Sequence, residues 1–288
     1  MLLKVAPFLF VFLWSTGFIG AKFGLPYAEP LPFLLVRYCC VITLMTLLAV
    51  ATKAPWPREP RRWFHIGVSG ILVHAFYLGG VFVAIKHGLP AGITALVVGM
   101  QPLLTAFGAG ALLGERVTMR QWAGLAFGFV GVFLVVSGKF GGGVADAPLA
   151  AMLVPAVVAL LAITAGTLYQ KKFCPSFDLR TGAVIQFVPT ALATMAAIAL
   201  FGEFHIDWTP SFLFALGWLV LVLSVGAISL LNLLIRSGSA VNVAALFYLT
   251  PPTTAIIAWL LFDETLTGMA LAGMALAVGG VWLARKAT

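Results

Sequence analysis

The sequence predicts an all-α membrane protein whose ten transmembrane helices form two inverted-topology five-helix repeats around a central cavity. Two observations support this fold class. The composition suits a chain immersed in lipid, because 62% of the 288 residues are hydrophobic and only 9% are charged, against roughly 25% charged in soluble domains. The second half of the chain also repeats residues of the first half at matched spacing.

The hydrophobic residues fall into stretches long enough to cross a bilayer core, which takes about 20 residues. The loops between them are short, and helices alone satisfy their own backbone groups in lipid, so each stretch is predicted to be a helix. The ten predicted spans are residues 5–24, 31–51, 64–86, 91–113, 120–138, 149–168, 181–201, 211–235, 241–262 and 268–284.

The internal repeat is visible in two blocks. Ile85-Lys86-His87-Gly88 returns as Ile235-Arg236-Ser237-Gly238, and the block that begins at Pro102 returns from Pro251. Each half, residues 1–140 and residues 141–288, then holds five spans. An odd number of spans makes the second half enter the bilayer from the opposite side. Inverted repeats of this kind are typical of secondary transporters, whose substrate site lies near the midplane between the halves.

Basic residues are distributed unevenly between the two sides of the membrane. With the N-terminus in the cytoplasm, all but four of the 17 Lys and Arg residues fall on the cytoplasmic side; the exceptions are Lys22, Arg37, Lys86 and Lys139. This is the positive-inside bias. It predicts that both termini are cytoplasmic, and it leaves no basic patch for nucleic acid despite the net charge of +8.

Several chemistries lack the residues that they need. The three cysteines, Cys39, Cys40 and Cys174, make no disulfide framework, and the four histidines have no metal-ligand spacing. No nucleophile and base stand at a readable spacing, so an enzyme is disfavoured, and neither a metal nor a cofactor is predicted. All nine acidic residues map to loops or span ends, which disfavours ion coupling through a buried carboxylate.

Polar and aromatic residues at mid-span are the candidates for a substrate cavity. His74 and Tyr77 lie three residues apart and therefore on one face of their helix. An ionisable group at mid-membrane points to function by default, and burial favours the neutral form of His74. For every candidate the alternative is a structural role, in which it joins helices or packs. The other predicted cavity residues are Trp14, Gln101, Thr164, Asn232 and Tyr248.

Prolines and cations are the candidates for gating. Pro102 and Pro251-Pro252 occupy matched places in the two halves, and interior prolines break helices, which points to the translocation path. Lys22 and Arg37 are the cations nearest the predicted outer mouth. Either they extend to the headgroups, or they bond the ends of neighbouring helices and close the gate.

Two acidic repeat mates, Glu115 and Glu264, are predicted to be structural. Each ends one span a few residues before the next span begins. A carboxylate at that place caps or pairs the start of the next helix, here at Thr118 and Thr267.

These residues also carry a family resemblance. Trp14 with Lys22, Pro32 with Arg37-Tyr38, and the two copies of a P-x(12)-E-x-x-T…G pattern resemble the EamA family of the drug/metabolite transporter superfamily. The length and the aromatic-rich spans are similar to YddG-type exporters of aromatic amino acids. The resemblance implies a cavity lined by spans 1–4 and 6–9, and export from the cytoplasm across the bacterial inner (plasma) membrane.

The sequence therefore predicts a secondary transporter that exports small amphipathic metabolites by alternating access, without obligatory ion coupling. Aromatic or large apolar amino acids are the expected substrates. The alternatives within the superfamily are a multidrug or cation exporter and another metabolite carrier; outside it, they are an intramembrane enzyme and a channel. The expected partners are the small-molecule substrate and the lipid bilayer, and a homodimer has no support in the sequence.

The predicted topology can be tested by labelling from one side of the membrane. In a chain without native cysteines, single cysteines at Gly142 and Thr209 should react with a membrane-impermeant thiol reagent from outside, because both positions lie in predicted outer loops. A cysteine at Arg58, in a predicted cytoplasmic loop, is the control and should react only after permeabilisation. Labelling of neither outer position would overturn the orientation.

Overall fold

The computed structural model describes residues 2–89, 91–137, 149–174, 176–262 and 266–285. Within these ranges it describes all side chains except those at positions 2–4, 18, 19, 22, 91–93, 95, 149, 150, 201, 258, 261 and 262. Glu264 and the side chain of Lys22, two residues singled out by the sequence, therefore lie outside the described part of the chain.

Ten helices succeed one another along the described residues, and each coincides with a predicted span. Nine of them have the length and composition to cross a membrane, and α1 contributes a shorter apolar stretch, Val5–Gly17. The helical architecture expected from the sequence is confirmed for this part of the chain. The helices are α1 (Leu2–Gly24), α2 (Pro30–Ala51), α3 (Pro60–Lys86), α4 (Ala91–Val98 and Gln101–Leu113), α5 (Met119–Ser137), α6 (Leu149–Phe173), α7 (Leu179–Phe201), α8 (Pro210–Ser237), α9 (Ala240–Ala245, Leu246–Leu249 and Thr250–Phe262) and α10 (Gly268–Arg285).

Local sequence sets where several helices begin. Proline occupies the first turn of α2, α3 and α8, where its missing N–H group would have no partner in any case. Side-chain oxygens cap other helices: Asp178 accepts from the backbone N–H of Arg180 at the start of α7, and Ser239 accepts from that of Asn242 at the start of α9. Such caps satisfy N–H groups that a helix cannot satisfy by itself.

The third helix of each half contains a widened, π-helical segment. It covers Ile71–Leu78 in α3 and Leu219–Ala227 in α8. In the register that aligns Ile85 with Ile235, these segments overlap, and His74 aligns with Ser224. π-Helical turns are rare and frequently occur at functional sites. These π segments were not predicted from the sequence.

The last helices of the two halves, α5 and α10, pack closely through a seam of glycines. A Cβ atom at Gly131 would lie 2.7 Å from the carbonyl oxygen of Gly273, and one at Gly280 would lie 2.6 Å from that of Gly124. Neither helix has room for a side chain at these points. Small residues let membrane helices approach until their backbones touch, which gives the dispersion contacts that hold them together in lipid.

The other helix pairs also relate the two halves. The second helices, α2 and α7, pack against each other, as the fifth helices do. The third helix of the first half, α3, packs against α6, the first helix of the second half; conversely, α8 packs against α1. The two halves are therefore interlocked through matched pairs of helices.

The glycine seam makes a testable prediction about stability. Replacing Gly131 by valine should destabilise the fold by about 1–3 kcal/mol or more, because the new side chain would overlap the backbone of α10. The expected result is a lower melting temperature and a smaller monodisperse fraction after detergent extraction. Gly279→Val in α10 is the matched control, since a Cβ atom there has nothing within 4 Å. Equal losses in both variants would contradict the seam.

Candidate functional site

Trp14 of α1 is the hub of an aromatic cluster at mid-membrane. The centroid of its ring lies 5.2 Å from that of Phe10 and 5.3 Å from that of Phe247. The ring also stacks on that of Tyr77 in α3, with the centroids 6.4 Å apart. Trp14 is 6% exposed and Tyr77 is 3% exposed. Two predicted cavity residues are thus in contact and line the same apolar interior.

His74, one turn before Tyr77, lies halfway along α3. Its ring stacks on Phe187 of α7 with the centroids 4.2 Å apart, and its carbonyl oxygen accepts a 2.7 Å hydrogen bond from the hydroxyl of Tyr38. Neither ring nitrogen makes a hydrogen bond of good geometry, although both are buried. Buried polar atoms usually have partners, so these two nitrogens are exceptions that remain available for hydrogen bonding.

Arg37 is buried in the interior, between α2 and α8. Its side chain is 3% exposed, and its Nε donates a 2.9 Å hydrogen bond to the Oγ of Ser224, which stands halfway along α8. Of the two alternatives for Arg37, extension to the headgroups is wrong, because the buried side chain runs from α2 to α8. A gating role for Lys22 and Arg37 stays a prediction.

Arg37 joins the aromatic residues in one group. Tyr38, Tyr77 and His74 all lie close enough to interact electrostatically with its guanidinium. We call Trp14, Arg37, His74, Tyr77 and Ser224 the central cluster. Four of its members come from the first half and one from the second. The repeat-related residues His74 and Ser224 play matched parts, since each contacts the second helix of the opposite half: His74 on α7 and Ser224 on α2.

Gln101 borders a small cavity next to the central cluster. Its Nε2 donates to the hydroxyl of Thr105 at 3.1 Å, while its Oε1 is buried without a partner. The cavity holds about 10 Å³ and is also lined by Thr167 and Phe247, the latter in contact with Trp14. That is about the room of one water molecule. The central cavity expected from the sequence stays a prediction.

Asn232 belongs to a closed ring of amides. Gln170 donates to Asn232 at 2.9 Å, Asn232 donates to Gln186 at 3.5 Å, and Gln186 donates to Gln170 at 3.3 Å. Gln186 also donates to Ser69 of α3 at 3.1 Å. The ring joins α6, α7 and α8 to α3, so the contacts of Asn232 are those of a helix-joining residue. The sequence did not single out Gln170, because it stands near the end of its span.

Two further predicted cavity residues have mainly structural contacts. The hydroxyl of Thr164 donates to the carbonyl oxygen of Leu160 in its own helix at 2.7 Å. The ring of Tyr248 packs against α5 at Gly128, where it fills the space of a side chain, and its hydroxyl is buried without a partner. Tyr248 thus faces the fifth helix and leaves one donor available.

The prolines stand where α4 and α9 depart from regular helix. Pro102 follows an interruption at Gly99 and Met100. Pro251 and Pro252 follow a 3₁₀ segment, Leu246–Leu249. Proline removes a backbone donor and frees carbonyl oxygens. One of the carbonyls beside this break, that of Thr250, accepts a 3.3 Å hydrogen bond from Ser15 of α1.

At the end of the molecule that carries the α1–α2 and α7–α8 loops, an ion pair joins α3 to the residue before α2, and backbone hydrogen bonds join the two loops. Lys86, at the end of α3, pairs with Glu29, just before α2, at 2.7 Å. The backbone N–H of Glu29 also donates to the carbonyl oxygen of His205 at 3.1 Å, which joins the α1–α2 and α7–α8 loops. The ion pair is partly solvated, so it contributes little stability and can open readily.

The opposite end of the molecule has a matched contact. Arg236 is the repeat mate of Lys86, and its Nη1 donates to the carbonyl oxygen of Phe177 at 2.7 Å, just before α7. Its guanidinium also lies over the Phe177 ring at 4.8 Å. Beside it, hydrogen bonds and the ion pair from Arg180 hold the pKa of Asp178 below its usual range, so Asp178 remains a charged cap for α7 well below neutral pH.

Glu115 caps a helix, but a different one from that predicted. Its two carboxylate oxygens accept from the backbone N–H of Ala240, at 3.1 and 3.2 Å, so it caps α9 in the second half. The start of α5 is capped instead by Thr118 and Gln121, whose side chains and backbone N–H groups bond reciprocally. Spacing along the chain indicated the nearest helix and could not reveal a partner far away in sequence.

A known family matches the chain in both halves. The model of the EamA-like transporter family aligns with residues 4–137 and 150–285. The chain belongs to this family. It is therefore a multi-pass membrane transporter of the drug/metabolite type.

Similar proteins in other organisms are also transporters. An uncharacterized transporter of Bacillus subtilis, YvbV, is 27% identical over 95% of this chain and 88% of its own length. The uncharacterized inner membrane transporter YedA of Escherichia coli is 27% identical over 91% of this chain and 83% of its own length. A probable amino-acid metabolite efflux pump of Salmonella typhimurium is 25% identical, with 96% and 92% covered.

A solved crystal structure has the same fold. It superposes with a TM-score of 0.82, covers 98% of this chain and 96% of its own, and shares 21% sequence identity. At that identity the likeness bears on the fold alone.

The cap at α9 makes a testable prediction. Glu115→Ala should lower the folded yield, because loss of a helix cap costs about 0.5–2 kcal/mol, and Glu115→Gln should be milder because an acceptor remains. Glu59→Ala is the control, since its contact with Arg62 is a solvated ion pair. Normal yield of Glu115→Ala, with an altered substrate range in transport, would contradict a structural role.

Proposed function

We propose that the protein exports amino acids with large apolar or aromatic side chains from the cytoplasm across the bacterial inner membrane. The observation that carries the proposal is the central cluster, which combines stacked rings with buried polar groups at mid-membrane and is built by both halves. Rings enclose an apolar side chain, and a few convergent polar groups fix its orientation, as in most small-molecule sites. The efflux pump of Salmonella typhimurium, named for amino-acid metabolites, supports the same substrate class.

Transport proceeds by alternating access of two inverted repeats with both termini in the cytoplasm. The matched ties support this mechanism, because Lys86 at one end and Arg236 at the other hold equivalent helices of opposite halves. Opening one tie while the other remains closed would expose the central cluster to one side at a time. The breaks at Pro102 and Pro251 let the ends of α4 and α9 move without unravelling the rest of each helix.

No ion gradient is needed in this proposal. Within the described residues, no carboxylate lies among the central residues to carry a proton or sodium ion. His74 is the group there that titrates near neutrality when exposed, and its burial between rings favours the neutral form. It serves as a hydrogen-bonding residue, and export runs down the gradient of the substrate itself.

A cation exporter is the second candidate, and Arg37 argues against it. A fixed positive charge beside the ring cluster repels a cationic drug, and no described carboxylate at this depth would attract one. A broad multidrug range for cations is therefore disfavoured on electrostatic grounds.

Counterflow in reconstituted liposomes tests the function. Vesicles loaded with unlabelled phenylalanine should take up labelled phenylalanine, tryptophan or leucine, and alanine or glutamate should exchange much more slowly, because only large apolar side chains fill the ring cluster. Empty vesicles are the control. Absence of saturable counterflow for every amino acid tried would overturn the proposal.

Variants of His74 test the driving force. His74→Gln should retain part of the counterflow, since glutamine keeps a hydrogen-bonding group of similar reach, whereas His74→Ala should lose about tenfold or more. Neither wild type nor variant should concentrate substrate when only a pH gradient is imposed. Accumulation above equilibrium in the wild type, lost in His74→Gln, would establish that His74 carries protons.

A further inference from the structure

We infer that Arg37, positioned by Ser224, is the anchor for the carboxylate of the substrate. The site then selects monocarboxylates with an apolar or aromatic body, and the ammonium group of an amino acid is carried without being required. This inference rests on the proposed function and narrows it to one chemical group of the substrate.

The charged side chain of Arg37 is buried. The guanidinium of Arg37 is reached from α2 and bonded at the middle of α8, and the side chain is 3% exposed. A charged side chain at this depth is costly by any scale, and it is retained in membrane proteins chiefly for function. The groups that interact with it are the phenols of Tyr38 and Tyr77, the imidazole of His74 and the hydroxyl of Ser224, none of which carries a compensating charge.

Arg37 has no counter-ion among the described carboxylates. None of the carboxylates that the structure describes pairs with Arg37; their ion pairs are with Arg62, Lys86, Arg180 and His205. Of the other described acidic residues, Glu115 accepts from the backbone N–H of Ala240 and Glu203 lies in the exposed loop after α7. A buried cation without a carboxylate partner is stabilised by any anion that enters its site, so the binding of an anionic group is favoured there over that of a cation.

The guanidinium of Arg37 has donors in the geometry that a carboxylate needs. A guanidinium has five N–H donors in one plane. Ser224 takes the donor on Nε and fixes the orientation of the plane, which leaves the donors on the two terminal nitrogens. Two parallel N–H donors match the two oxygens of a carboxylate in a bidentate pair, one of the strongest hydrogen-bonded contacts that proteins make.

The ring cluster lies beside Arg37, where it can receive the rest of the substrate. Tyr77 lies near the guanidinium on one side and stacks on Trp14 on the other, so a molecule anchored at Arg37 can extend its side chain into the ring cluster. An ammonium group would find neutral acceptors such as Gln101 Oε1, but no described carboxylate. The site therefore recognises the negative charge of the substrate's carboxylate.

Competition on the wild-type protein tests this selection without any mutation. The assay is counterflow of labelled phenylalanine in proteoliposomes, inhibited by 3-phenylpropionate, which lacks the ammonium, or by phenethylamine, which lacks the carboxylate. We expect 3-phenylpropionate to inhibit at concentrations within about threefold of those of unlabelled phenylalanine, and phenethylamine to require concentrations at least about tenfold higher. Equal inhibition by both, or stronger inhibition by phenethylamine, would overturn the inference while leaving amino-acid transport in place.

Substitutions at Arg37 give an independent readout. Arg37→Gln should reduce counterflow by about 10- to 100-fold, through the loss of a charged hydrogen bond to the substrate, and Arg37→Lys should keep part of it because the charge remains. The melting temperature of Arg37→Gln in detergent should be unchanged or higher, since removing an uncompensated buried charge relieves its desolvation cost. Arg62→Gln, at an exposed arginine, should leave counterflow unchanged.

The outcomes separate the two proposals. Lost counterflow in Arg37→Gln together with a lower melting temperature would assign Arg37 a structural role and overturn the inference, as would unchanged counterflow. If the wild type carries no amino acid at all, the proposed function fails first, independently of Arg37. If Arg37→Gln does not fold, competition on the wild type still decides between a carboxylate anchor and none.

Discussion

The structure depends on one constraint, which is that the bilayer core offers no hydrogen-bonding partner to a polar group. Each span is a helix for this reason, and the hydroxyl of Thr164 bonds to its own backbone for the same reason. The amide ring of Gln170, Gln186 and Asn232 satisfies three polar side chains at once and joins four helices in doing so. Glu115 completes the start of α9 from the opposite half. Polar contacts of this kind fix which helices are neighbours, while the glycine seam between α5 and α10 fixes how closely they approach.

The same constraint gives meaning to the exceptions. Most buried polar atoms have partners, and the exceptions include the ring nitrogens of His74, the Oε1 of Gln101 and the hydroxyls of Tyr248 and Thr250. Arg37 has no carboxylate partner among the described residues, and it lies with His74 and the stacked rings of Trp14 and Tyr77. A protein that needed only stability would be better served by apolar residues at these positions. Their concentration at mid-membrane, at the meeting of the two halves, is the physical basis for placing a substrate there.

The internal repeat places equivalent contacts at the two ends of the molecule. The π segments of α3 and α8 present His74 and Ser224 to the second helix of the opposite half, and Lys86 and Arg236 tie the ends of the same helices to the loops before α2 and α7. Because the two ties are chemically different, one an exposed ion pair and the other a bond to a backbone carbonyl, they open at different cost. The two ends of the molecule are therefore held by contacts of unequal strength.

The sequence by itself determined the helices, their number and approximate bounds, the internal repeat, and the family, because these follow from the length of apolar stretches and from spacing along the chain. It also identified Trp14, His74 and Tyr77 as central residues, since depth in a span can be counted. Only the tertiary structure decided that Arg37 turns inward to Ser224, that Asn232 joins helices, that Tyr248 packs on Gly128, and that Glu115 caps α9. Each of these depends on which distant segment lies opposite, and spacing within one helix carries no information about that.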